Sequence, residues 1–214
     1  MTDEGSAGRV GAGRPSGDLL RDALRLIVIT DAEMVSARSD GRTVRDVVEA
    51  AVEAGARAVQ LRMKGSTARE IADAARALLP VIRSVDGLLF VNDRADVAAA
   101  VGADGVHLGP EDVPVGGVRR AFGPDLLIGY STDDPGSARA ATLAGADYLG
   151  CGAVFGTTSK ALGDEAIGLE RLAAVVDASG VPGVGIGGIT VERAAAVRAV
   201  GAAGVAVIGA VMAA

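Results

Sequence analysis

The sequence predicts an α/β chain folded as a single (β/α)8 TIM barrel, and three observations predict it. Eight short apolar runs alternate with Ala-rich amphipathic stretches along most of the chain. Four of those stretches end in the same punctuation: Gly55-Ala56, Gly102-Ala103, Gly145-Ala146 and Gly201-Ala202. Glycine suits the left-handed residue just past a helix end, so the pattern reads as one β/α unit used repeatedly. Finally, no G-x-G-x-x-G turn follows the first run, as an open doubly wound sheet would prefer, which leaves the closed barrel.

Taken in order, residues 1–22 are rich in Gly, Ala, Ser and Arg without apolar periodicity, and a disordered tail is the expectation. The barrel domain then occupies 23–214. Its strands are expected at 24–30, 58–62, 88–92, 105–108, 126–131, 148–152, 183–186 and 204–208. Each is an apolar run of strand length. Helices are expected between them at 43–54, 67–84, 94–101, 115–122, 135–144, 168–178 and 190–200. Pro135 stands where a first-turn proline belongs and Thr190 where an N-cap does. After the eighth run the sequence stops at Ala214, so the eighth helix is expected to be missing or a stub. One flank of the first and eighth strands would then lack cover. Lower stability, or a second copy of the chain in a homo-oligomer, is the corresponding expectation.

Composition narrows the function. Half of the 214 residues are apolar, but no apolar run approaches the roughly 20 residues of a membrane span. The opening residues show no cationic stretch leading into an apolar one, so no secretory signal is expected. A single cysteine, Cys151, excludes an internal disulfide framework and fits the cytoplasm. Net charge of −6 argues against a nucleic-acid partner, and aromatics at 2% offer no stacking platform. A few focused cations can still hold small phosphorylated substrates on an acidic protein.

Barrel active sites form at the C-terminal ends of the strands, and the polar residues of this chain gather there. Along Gln60-Leu61-Arg62-Met63-Lys64, period-two alternation turns Gln60, Arg62 and Lys64 to one face, which reads as an anion clamp or, taken alone, as a solvated strand end. The third strand ends in Asn92-Asp93-Arg94, and Glu111-Asp112 follows the fourth. Carboxylates from such neighbouring ends can share one Mg2+, whereas a lone Asp after a strand is more often a helix cap. His107, the sole histidine, is expected as a hydrogen-bonded core group. Gly156-Thr157-Thr158-Ser159-Lys160 offers hydroxyls, N–H groups and a cation to a phosphate. The glycines after the seventh strand and the end of the eighth fall where such barrels often bind phosphate. The residues therefore imply Mg2+-assisted chemistry with two anion subsites. One comprises Arg62, Lys64, Asp93, Asp112 and Lys160, and the other lies at Gly187, Gly188, Ile208 and Gly209.

Five segments together resemble the thiamine phosphate synthase family: VQLRMK at 59–64, VNDRADVAAAVGADGVHLGPEDVP at 91–114, IGYST at 128–132, DYLGCGAVFGTTSK at 147–160 and GIGGIT at 185–190. The resemblance implies a transferase that joins 4-amino-2-methyl-5-hydroxymethylpyrimidine diphosphate to a thiazole phosphate, releasing pyrophosphate and forming thiamine phosphate. It implies that Gln60, Leu61, Arg62, Met63, Lys64, Asn92, Ser131 and Lys160 bind the pyrimidine diphosphate. Among these, Arg62, Lys64, Ser131 and Lys160 carry the catalysis. Thr157, Thr158, Ser159, Gly187, Gly188, Ile208 and Gly209 would bind the thiazole phosphate, and Asp93 and Asp112 the Mg2+. The chain departs from the family pattern at Met63 for glutamate, Pro110 for glutamine, Gly156 for proline and Gly209 for serine.

The nearest rival is the related thiazole tautomerase, an isomerase on the same barrel. Its members usually lack the second aspartate and carry a histidine after the fifth-strand serine, where this chain has Asp112 and Thr132. A non-catalytic binder of phosphate ligands is a third reading. A generic epimerase or indole-pathway barrel would place acid/base residues at other strand ends.

Overall fold

In the computed structural model, residues 14, 15, 17–156 and 166–214 are described. Eight parallel strands close into a barrel in which each pairs with the next and β8 pairs with β1. The strands are β1 (Leu26–Ile29), β2 (Ala58–Leu61), β3 (Leu88–Asn92), β4 (Gly105–Leu108), β5 (Leu127–Ser131), β6 (Tyr148–Cys151), β7 (Gly183–Ile186) and β8 (Gly204–Val207). The helices are α1 (Gly17–Ala23), α2 (Ala32–Ser36), α3 (Val44–Glu53), α4 (Ala68–Arg83), α5 (Ala95–Val101), α6 (Val115–Phe122), α7 (Pro135–Leu143), α8 (Gly168–Ala178), α9 (Val191–Ala199) and α10 (Gly209–Met212). No helix among the described residues is long and apolar enough to cross a membrane.

Local chemistry explains where the helices start and stop. Capping boxes open α3 with Thr43 and Asp46, and α4 with Thr67 and Glu70, each satisfying two N–H groups that lack helical partners. Thr190 caps α9, and Asp134 caps α7 directly ahead of Pro135, as the sequence suggests. All four glycines of the Gly-Ala punctuation have positive φ, between 71° and 108°, a region glycine enters without the Cβ penalty.

At the opposite end of the barrel from the strand tips, two aspartates clamp the strand starts. Asp104 Oδ2 accepts from Leu89 N at 2.8 Å and Oδ1 from Arg83 at 2.7 Å. Asp147 repeats the arrangement with Ile128 N and Arg119, both at 2.7 Å. The same Asp-plus-Arg device thus recurs two β/α units later, the structural counterpart of the sequence quasi-repeat.

Three differences from the sequence reading have physical causes. Residues 17–22, expected as part of a disordered tail, belong to α1, which buries Leu20 and Ala23 against the core. Two or three apolar contacts from one short helix are too few to register as periodicity. Replacing Leu20 by alanine is expected to cost about 2 kcal/mol in urea unfolding, the lower end of the range for buried leucine. A cost below about 0.5 kcal/mol, typical of exposed positions, would mean the contact adds nothing. Second, α2 occupies the loop after β1, which carried no helix prediction. Third, the flank of β1 and β8 is covered. Val205 and Val207 are only 6% and 8% exposed, and α9 packs on β8. The single turn of α10 buries Met212 and packs against α2 and α3. The expected stub is present, but the bare flank is not.

Candidate active site

Alternation along the strands points one set of side chains into the barrel, and at the C-terminal end these open into a cavity of about 550 Å3. Its apolar side comes from β1, β7, β8 and the residue after β8, with Ile27, Ile29, Val184, Ile186, Ala206 and Ile208, and its polar side runs from β2 to β6. Gln60, Arg62 and Lys64 all line it, as the period-two argument required, together with Asn92, Asp93, Asp112 and Ser131. Leu61 faces the other way, buried in the core, and Met63 packs half-buried against it. Neither lines the cavity, so neither side chain is placed to touch a substrate there.

Arg62 is held by its neighbours. Arg62 Nη1 lies 3.2 Å from Asp31 Oδ2, while its backbone N–H donates to the buried Thr30 hydroxyl at 2.9 Å. Asp31 also caps α2 through Met34 N, so one carboxylate fixes both the helix after β1 and the guanidinium after β2. On the next pair of strands, the Gln60 amide donates to Asn92 Oδ1 at 3.3 Å.

Asp93 stands in the left-handed region at φ 62°, a conformation uncommon outside glycine though best tolerated by Asn and Asp. Its N–H donates to His107 O at 2.8 Å, which holds the turn against β4. This turn sets its carboxyl group close enough to that of Asp112 for the two to interact. Asp112 is oriented in turn by Gly109 N, 2.6 Å from its Oδ2. Burial first, then the hydrogen bond and charge of Asp112, push the Asp93 carboxyl up to about 6, against the pull of Lys64 and Arg62. Two carboxylates so placed are relieved by a cation. Among the described residues no group of three or more His, Cys, Asp or Glu side chains is arranged to hold a metal. Asp93 and Asp112 are the donors that a hard divalent cation such as Mg2+ could use, since such an ion takes one or two carboxylates and fills its shell with water and phosphate oxygens.

His107 is hydrogen-bonded at both ring nitrogens, to Tyr148 Oη at 2.9 Å through Nδ1 and to Ser131 Oγ at 2.8 Å through Nε2. The expectation of a satisfied histidine holds, but the ring also lines the cavity. A Cβ at Gly129 would overlap the Tyr148 ring and His107 Nδ1, so only glycine leaves room for this row of side chains.

Other sequence candidates are placed differently. Gly187 and Gly188 have positive φ and sit where a Cβ would overlap Ala153 and Gly156 respectively. Neither is among the residues that line the cavity. Ile208 lines the cavity, and Gly209 begins α10 beside it. Thr157, Thr158, Ser159 and Lys160 lie outside the described residues. The sequence reading overlooked Asp31 and Tyr148. Asp31 carried one available signal, since it directly follows β1 at the functional end of the barrel. Tyr148 is in alternation with Gly150 and Gly152, all three facing inward.

Comparison with known proteins agrees with this geometry. A family model described as thiamine monophosphate synthase matches residues 26–211. The chain is 54% identical over 128 residues to a thiamine-phosphate synthase of Natronomonas pharaonis, covering 59% of this chain and 60% of that protein. To the thiamine-phosphate synthase of Chlorobium luteolum it is 47% identical over 137 residues, covering 64% and 65%. It thus spans less than two thirds of the length of these curated relatives. The solved structure of thiamine phosphate pyrophosphorylase from Pyrococcus furiosus superposes with a TM-score of 0.80 at 42% identity, over 91% of this chain and 90% of that one. With the fold, the strand-end cavity and these matches together, the chain belongs to the thiamine monophosphate synthase family.

Proposed function

We propose that this chain condenses the aminopyrimidine methyl diphosphate with thiazole phosphate to give thiamine phosphate and pyrophosphate. The observation that carries the reading is the convergence, at one cavity mouth, of Arg62, Lys64, Asn92 and Ser131 with the Asp93–Asp112 carboxylate pair. Donors and cations on one side and a cation-seeking pair on the other suit a diphosphate that departs as its charge grows.

In this reading Gln60, tethered to Asn92, faces the pyrimidine, and the apolar side of the cavity receives its ring. The C–O bond between methylene and diphosphate breaks, and the electron pair leaves with pyrophosphate. The thiazole nitrogen lone pair then forms the new C–N bond. No protein nucleophile and no proton transfer is required. Arg62, Lys64, Lys160 and the Ser131 hydroxyl stabilise charge that is greatest on the departing group, so they bind the transition state better than the substrate. Asp93 and Asp112 would hold Mg2+, which when bound neutralises diphosphate oxygens. Thr157, Thr158, Ser159 and the backbone at Gly187, Gly188, Ile208 and Gly209 receive the thiazole phosphate. Cys151 takes no part, since burial pushes its thiol up to about 12. A free buried thiol of this kind suits a reducing cytoplasm.

The test is pyrophosphate release by the purified chain given both substrates, each alone, and both without Mg2+. Release only with both substrates and Mg2+ is the expected result. A folded protein that releases none, yet isomerises a thiazole phosphate, would transfer the assignment to the tautomerase branch.

A further inference from the structure

The geometry points to Tyr148 and His107 as a fixed hydrogen-bond relay that positions the Ser131 hydroxyl as a donor into the cavity. This inference rests on the reading of the cavity as a diphosphate site and deepens it.

Tyr148 is fully enclosed by the barrel, its ring edge-on to Phe90 at 5.1 Å, and its phenol keeps its proton because burial disfavours the charged form. A buried O–H must donate, and the acceptor facing it at 2.9 Å is His107 Nδ1. A neutral imidazole that accepts at Nδ1 carries its hydrogen on Nε2. That hydrogen points at Ser131 Oγ, 2.8 Å away. With a lone pair of Oγ already engaged, the serine turns its own hydrogen elsewhere, and Ser131 lines the cavity beside Asn92 and Asp93. Each bond polarises the next, so the serine is a better donor to an anion than an isolated hydroxyl would be.

Glycines keep the row in place. A Cβ at Gly129 would strike the Tyr148 ring and the imidazole, and one at Gly150 would press on His107 Cε1 at 3.1 Å. Tyr148 and His107 are therefore positioning residues, and Ser131 is the group that would meet the substrate.

The sequence makes the relay directly observable, because His107 is the only histidine in the chain. Its two ring nitrogens give an unambiguous long-range 1H–15N NMR signature in the unmodified protein, whether or not any substrate turns over. A single neutral tautomer with the proton on Nε2 is expected. A proton on Nδ1, an imidazolium, or a mixture of tautomers near pH 7.5 would overturn the relay.

A double-mutant cycle supplies the functional half. Tyr148→Phe keeps the ring and removes only the O–H, and is expected to lower kcat about tenfold. In a Ser131→Ala background the same change should have no further effect, since nothing remains for the relay to orient. Equal losses in both backgrounds would overturn the inference, as would Tyr148→Phe leaving kcat unchanged. If the unmodified protein shows no synthase activity, the same cycle is read on its affinity for inorganic pyrophosphate with Mg2+. The synthase reading then fails by itself, and the relay is still decided by the tautomer and the cycle.

Discussion

Replacing Asp93 by asparagine is expected to lower pyrophosphate release about a thousandfold and, at the same time, to stabilise the metal-free protein. The first effect follows from losing one of the two carboxylates proposed to hold Mg2+, whose charge stabilisation is worth several kcal/mol, or roughly tenfold per 1.4 kcal/mol. The second follows from burial of the carboxylate and, after it, from the neighbouring Asp112. A carboxyl raised to about 6 in the folded state, from an ordinary 3.8, binds its proton more tightly when folded than when unfolded. The protein therefore loses stability as pH rises from about 4 to 6, and carries the full penalty at pH 7.5. Because the group is half exposed, solvent screening reduces that penalty to about 1 kcal/mol. For a chain of this length, about 1 kcal/mol corresponds to a rise of roughly 2–4 °C in thermal midpoint. Asparagine also tolerates the φ of 62° at this position, so the backbone turn survives the change. Thermal melts of both proteins without metal at pH 7.5, beside the pyrophosphate assay, check the pair of effects. An Asp93→Asn protein that melts lower, or that keeps activity within tenfold, would contradict this account of Asp93 as a buried carboxylate beside a like charge.

Arg62→Ala is expected to lower kcat/KM for the pyrimidine diphosphate by about a hundredfold or more, the scale of removing one aimed donor from a developing oxyanion. A companion change separates the charge from its placement. Asp31→Asn preserves the N-cap of α2, because asparagine caps as well as aspartate, but removes the ionic partner 3.2 Å from Arg62. The guanidinium remains and only its orientation is loosened, so a loss of about tenfold is expected. Steady-state kinetics on both variants check the order. Arg62→Ala within twofold of the parent would remove Arg62 from the diphosphate site. Asp31→Asn as damaging as Arg62→Ala would mean that Asp31 acts directly rather than through the arginine.

Much of the barrel could be read without coordinates. Helices at 115–122 and 168–178 match α6 and α8 residue for residue, because α6 and α8 each bury a regular apolar stripe. Strand limits were off by one or two residues where flanking apolar positions, such as Leu24, are buried without joining the sheet. The helices overlooked were α1 and α2, of seven and five residues, too short to express a period of 3.6.

The candidate site divides in the same way. The sequence by itself determined which residues face the cavity, since a period of two leaves Gln60, Arg62 and Lys64 on one side and Leu61 on the other. It also determined the family, through contiguous motifs. Only the tertiary structure decided which of those residues meet. Asp31 with Arg62, Asp93 with Asp112, and His107 with both Tyr148 and Ser131 are pairs separated by 19 to 41 positions. Their contacts depend on the register between neighbouring strands and on the turn at Asp93, and both are fixed by closure of the whole barrel. Alternation is a property of one strand and is written locally, whereas register is a property of the closed sheet and is not.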